Sequence, residues 1–192
     1  MKNPSSRHRR GFSLIELLVV IAIIAVLAAA GFGAGNLAIN NAKKTTAQAA
    51  AQGVVGAVNS FYTDNASMPV PSGGSSVDGG TKFQTDAVEG IKVLNILLGM
   101  EEEINTKKVR YLNAKEGKAK KDGIIYNQTG KEATGMYDPW GNPYIIVLDT
   151  NYEERIEVKP GNTEIQLNSR RCAVYSGGQD KKLGTKDDVK TW

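Results

Sequence analysis

The chain has 192 residues, 41% hydrophobic and 7% aromatic, which bounds it at one modest globular domain. Its formal charge of +4 is concentrated at one end: Lys2, Arg7, Arg9 and Arg10 precede Phe12 with no acid among them, and the remainder balances at 20 basic and 20 acidic residues. One cysteine, Cys172, and one histidine, His8, exclude an internal disulfide, a Cys/His zinc site and histidine acid–base chemistry in the body.

A basic cluster directly before an apolar run is a topology signal, so it gives no reason to expect a nucleic-acid partner. From Leu17 to Gly35 no side chain is charged or polar. A helix over this run is about 28 Å long, close to the roughly 30 Å hydrocarbon thickness of a bilayer. The residues alone allow a cleaved secretory signal, with Ala28-Ala29-Ala30 as an A-x-A-like site, but the apolar run continues past those alanines. Glu16 stands near the start of the apolar stretch, where a lone carboxylate costs roughly 2.5–3.5 kcal/mol to insert and is usually functional. Snorkelling to the interface is the plainer reading of Glu16.

The string Gly11-Phe12-Ser13-Leu14-Ile15-Glu16-Leu17-Leu18-Val19-Val20-Ile21 resembles the processing signal of type IV pilins and type II secretion pseudopilins. The resemblance implies a leader at 1–11, cleavage between Gly11 and Phe12 by a prepilin peptidase, and methylation of the new Phe12 amine. It also implies an assembly role for Glu16, as the fifth residue of the processed chain. A charged amine and a carboxylate are each costly alone in low dielectric. Pairing the amine of one subunit with Glu16 of a neighbour offsets both costs.

No proline falls between Phe12 and Pro69, and apolar positions from Leu37 to Tyr62 recur at helical spacing. One helix is predicted over about 12–62, a transmembrane part at 12–35 and an amphipathic continuation at 36–62. Gly31, Gly33 and Gly35 lie inside it, readable as a close-packing face, an extensible point or simple tolerance. A variable region is expected over 63–137. Within it, Met68 to Gly80 reads as a loop, Thr85-Asp86 as the cap of a helix ending near Met100, and Glu101 to Asp122 as a solvated charged loop. In 138–192, strands are predicted at Tyr144–Leu148, Arg155–Val158, Glu164–Leu167 and Arg171–Tyr175, forming a small antiparallel sheet against the long helix.

Asp138-Pro139-Trp140-Gly141-Asn142-Pro143-Tyr144 reads as a turn before the best strand, with Trp140 over the core. The same string is similar to a segment of the major pseudopilins of type II secretion. In those proteins a Gly- and Asp-rich tail loop binds calcium, which implies Asp180, Asp187, Asp188 and Gly177 as ligands here. The chemistry is reasonable, since calcium takes six to eight oxygens, although Lys186 stands where the first of two terminal aspartates is expected. The ion's implied role is to order the loop outside the cytoplasm.

The fold expected is α+β and type IV pilin-like, a long N-terminal helix packed on a small antiparallel sheet. The function implied is a structural subunit of a type II secretion pseudopilus that drives protein export. Its expected partners are the prepilin peptidase, further pseudopilins in a polymer, and an inner-membrane assembly platform. The expected location is the inner membrane, single-pass, with the body periplasmic before extraction into a filament. The alternatives are a type IV pilus subunit for adhesion, motility or DNA uptake, a secreted globular protein, and a membrane-anchored enzyme. The last lacks a nucleophile–base pattern, so no catalysis is expected.

Overall fold

The computed structural model describes residues 12–71 and 79–192, and the side chains of all of these except 30–34. The leader at 1–11, the centre of the Met68–Gly80 loop, and the packing of Gly31 and Gly33 lie outside the described residues. The chain divides into two compact units, Met1–Asn41 and Ala42–Trp192.

Helix α1 runs from Leu14 to Asn65. In the first unit its apolar side chains from Leu14 to Leu27 are exposed all round, the pattern of a helix made for an apolar surrounding. Among the described residues no helix is long and apolar enough to cross a membrane. Side chains 30–34 lie outside the described residues, so the span expected over 12–35 is not seen whole.

In the second unit α1 turns one stripe inward. Ala47, Ala51, Val54, Val58 and Phe61 recur every three or four residues and are completely buried. The alanines let the sheet come close to the helix backbone: the Tyr144 hydroxyl donates to the Ala47 carbonyl at 3.1 Å.

The main sheet has four antiparallel strands in the order β1-β4-β7-β8, formed by Thr81–Gln84, Ile145–Leu148, Cys172–Ser176 and Val189–Lys190. Strand β4 pairs with both β1 and β7, in register at Ile146↔Phe83 and Ile146↔Val174. Both faces of this sheet are covered. Ile146, Leu148, Cys172 and Val174 join the core beneath α1, while Ile145, Val147, Ala173 and Tyr175 face a second core. The second core is closed by a hairpin of β5 (Arg155–Val158) and β6 (Ile165–Asn168), through Ile156 and Val158. Burial on both faces explains why β4 is apolar at every position rather than at alternate ones.

A further hairpin, β2 (Gly123–Tyr126) and β3 (Ala133–Tyr137), packs beside helix α2 (Val88–Leu97). Helix α2 ends in a Schellman turn. Gly99 sits at φ 71°, its N–H bonds to Ile96, and the Met100 N–H reaches the Asn95 carbonyl.

The α+β arrangement agrees with the sequence reading, with three antiparallel sheets in place of one. The expected cap of α2 differs. Thr85 is fully buried, donates to the Met136 carbonyl at 2.6 Å and accepts from the Tyr144 N–H, so it stitches three elements together instead of capping. Residue Ala87 takes the N-cap position without a side-chain bond. The charged loop is less solvated than expected. Buried Asn105 donates to the carbonyls of Ile96 and Val109 and accepts from the Val109 N–H, and Leu112 is completely buried.

Candidate functional site

Two places carry the sequence motifs, one in each unit. The first is the start of α1. Phe12 is 84% exposed. The Ser13 hydroxyl accepts from the N–H of Ile15 at 3.2 Å, and Glu16 Oε2 accepts from the N–H of Ser13 at 3.0 Å. This is a capping box: the S-x-x-E spacing satisfies helix N–H groups that have no partner within the helix. The sequence reading quoted Ser13 and Glu16 but missed this relation, although the spacing shows it. Glu16 therefore has a task within its own chain, holding the first turn closed. Gly11, the other side of the expected cleavage, lies outside the described residues.

The second place is the junction of the Asp138–Tyr144 turn with the C-terminal loop. Asp138 is completely buried, and its carboxylate accepts four hydrogen bonds. Oδ1 takes the N–H groups of Trp140 and Asn142, both at 2.9 Å. Oδ2 takes Asn142 Nδ2 at 2.7 Å and the Ser176 hydroxyl at 3.0 Å. Asn142 Nδ2 also donates to the Gly178 carbonyl at 2.6 Å. Two motifs read separately in the sequence thus form one hydrogen-bonded unit. Nearby, burial together with the carboxylates of Asp138 and Asp122 pushes the Tyr144 phenol far up, so it stays a donor to α1 at any ordinary pH.

The C-terminal loop brings Asp187 and Asp188 together but turns both inward on donors. Asp187 accepts from the Asp180 N–H at 2.9 Å and the Thr185 hydroxyl at 2.6 Å. Burial alone would raise its carboxyl; the Thr185 hydroxyl and backbone N–H groups around residues 179–180 outweigh that and hold it below the usual aspartate range. Asp188 accepts from the N–H groups of Gly184 and Thr185, and Lys190 Nζ stands 3.4 Å away. Asp180 is exposed and accepts from the Lys182 N–H. Gly177 opens the loop, packed against the main chain of Lys181 and Lys182.

A calcium site needs converging oxygens, whereas these carboxylates converge on N–H and O–H groups. Among the described residues no three acidic, histidine or cysteine side chains form a metal-binding group. As arranged, Asp180, Asp187, Asp188 and Gly177 do not fit a calcium ion.

Comparison with known proteins bears on the first place. Residues 6–32 match the prokaryotic N-terminal methylation motif. A fimbrial protein of Neisseria meningitidis serogroup A is 31% identical over 87 residues, 45% of this chain and 51% of the relative. The motif and this relative are the features that the chain shares with type IV pilin-like prepilins. The chain spans about half the length of that curated relative. No solved structure matches it.

Proposed function

We propose that the chain is a structural subunit of a type II secretion pseudopilus, cut after Gly11 by a prepilin peptidase, methylated at Phe12, and assembled through its N-terminal helix to drive protein export. The methylation motif at residues 6–32 supports the processed, filament-forming part of this reading. In it, the apolar helix anchors the subunit in the inner membrane with the body outside, and an inner-membrane platform adds processed subunits to the polymer. The capping box gives Glu16 a resting partner. On assembly its carboxylate exchanges one backbone N–H for the charged amine of a neighbour, a stronger partner in low dielectric. The role is mechanical, and no catalysis is proposed.

The N. meningitidis relative is named a fimbrial protein, which supports a second reading as a type IV pilus subunit. The Asp138–Tyr144 string favours the pseudopilus, through its resemblance to the major pseudopilins.

The test is the N-terminal mass of membrane-extracted protein, made with and without a prepilin peptidase. A chain beginning at methylated Phe12 only when the peptidase is present supports the filament-subunit reading. A chain beginning near Gly31, or uncut with the peptidase present, refutes it. Deletion in the source bacterium then separates the two filaments, by loss of exported enzymes or loss of surface fibres.

A further inference from the structure

The second unit is electrically lopsided, although basic and acidic residues balance over residues 12–192. Eight of its 20 basic residues, Lys43, Lys44, Lys118, Lys120, Lys121, Lys181, Lys182 and Lys186, lie toward the end where the chain arrives from the apolar helix. Lys43 and Lys44 stand at the start of the unit's helical segment, half-exposed. Lys44 Nζ donates to the Lys186 carbonyl at 3.1 Å, which fixes the C-terminal loop at this end. That loop exposes Lys181, Lys182 and Lys186.

The hairpin before β2 completes the surface. Lys118 and Lys121 exchange backbone hydrogen bonds of 3.1 and 3.0 Å around Ala119 and Lys120. Both central residues have positive φ, 51° and 56°, as in a type I′ turn. Alanine and lysine are disfavoured in that conformation, so the neighbours must hold the turn in place. They do: the Asp122 N–H bonds to the Asp138 carbonyl, and Gly141 lies close against the backbone of Lys120 and the side chain of Lys121. A cavity lined by Thr46, Ala49 and Gly53 on one side and Lys115, Asp122 and Tyr137 on the other places the hairpin along the first body turns of α1.

The acids at this end cancel the lysines only in part. Asp122 is paired with Lys115, and Asp187 and Asp188 are engaged by their own loop. Glu116 and Asp180 remain exposed. Among the described residues, no acid pairs with Lys118, Lys120, Lys121, Lys181, Lys182 or Lys186.

We propose that this basic end is a docking surface for an anionic lipid bilayer, holding the body down on the headgroups until the subunit is extracted. The inference rests on the membrane-anchored reading given above. A bilayer is favoured over a polyanion such as DNA by position, because the surface lies at the end that continues into the apolar helix. No aromatic side chain is exposed among the unpaired lysines for bases to stack on.

The test uses the full chain with Ala119→Cys carrying an environment-sensitive fluorophore; Cys172 is buried, and burial pushes its thiol up, so it does not label. The chain is reconstituted in phosphatidylcholine vesicles, with or without one-third phosphatidylglycerol. The label should shift to a headgroup environment only with phosphatidylglycerol, and return at 1 M salt, where the Debye length is about 3 Å. Replacing Lys118, Lys120 and Lys121 by Gln should weaken the docked state roughly fivefold per lysine. Flotation with both vesicle types should not change. A label indifferent to lipid charge in chains that float overturns the proposal, as does a label that responds to duplex DNA in detergent and not to vesicles. A chain that floats with neither vesicle instead refutes the membrane-anchored reading itself.

Discussion

Replacing Asp138 by Ala tests whether the buried carboxylate holds the second unit together. Two fully buried donors lose their acceptor, the Asn142 N–H and the Ser176 hydroxyl. Asn142 Nδ2 keeps the Gly178 carbonyl, and the Trp140 N–H is only part-buried, within reach of water. Each orphaned buried donor costs about 1–3 kcal/mol. Removing the charge also removes its own desolvation cost, which argues for the middle of that range. The expected loss is about 4 kcal/mol, or a fall in Tm of about 8–16 °C for a unit of this size. Asp138→Asn keeps the acceptor for both backbone N–H groups and should lose about half as much. Thermal melts of the full chain in detergent, followed by near-ultraviolet circular dichroism, measure this. With Ser176→Ala as the second mutation, a double-mutant cycle should show coupling of about 1–2 kcal/mol. A Tm within about 3 °C of the parent for Asp138→Ala would refute the reasoning, because the four hydrogen bonds would then contribute little beyond the cost of burying the charge.

Gly90→Ala should fail to fold stably despite alanine's better helix propensity, because the added Cβ would lie 1.9 Å from the Gln84 carbonyl oxygen; soluble yield and Tm report it. Asp187 has a lowered carboxyl pKa, so its stabilisation is complete above the unfolded aspartate value and lost as pH falls through the folded one; Asp187→Asn should flatten the acid limb of Tm against pH below about pH 4. Calcium in place of chelator should move the parent's Tm by less than about 2 °C, since the loop carboxylates are already satisfied; a saturable rise of several degrees would show that the loop opens to take the ion. Glu16→Gln should leave cleavage at Gly11–Phe12 intact while abolishing filaments, read by N-terminal mass and electron microscopy; filaments at parental abundance would remove Glu16 from assembly.

Much of the fold was legible because its signals are local. The helical spacing from Ala47 to Phe61 and the apolar run at Ile145–Leu148 each follow from one buried face or two. Strands β1, β2, β3 and β8 escaped the sequence reading. Thr81–Gln84 and Val189–Lys190 are short edge strands whose existence depends on β4 and β7 as templates, and β2 contains a bulge at Ile125/Tyr126 that breaks alternation. The calcium expectation came from the resemblance of the Gly- and Asp-rich tail to a loop of the major pseudopilins, and a likeness of residue types does not show direction: here the aspartates accept from N–H groups that the loop turns toward them. Thr85 misled for a related reason. A threonine before an apolar helix is a good cap by propensity, but the buried Met136 carbonyl and Tyr144 N–H needed it more.

The order of strands in the main sheet sets a sequence of events during biogenesis. Strand β4 cannot be covered on its second edge until β7 has emerged, which also brings the Ser176 contact with Asp138; the Gly178 contact with Asn142 and then β8 come later still. A body lacking its last strands therefore has an open sheet edge, and its Asp138 carboxylate lacks one of four donors, the Ser176 hydroxyl. In the reading proposed above, a half-translocated subunit could not enter the polymer, so the topology itself acts as a completeness check before assembly.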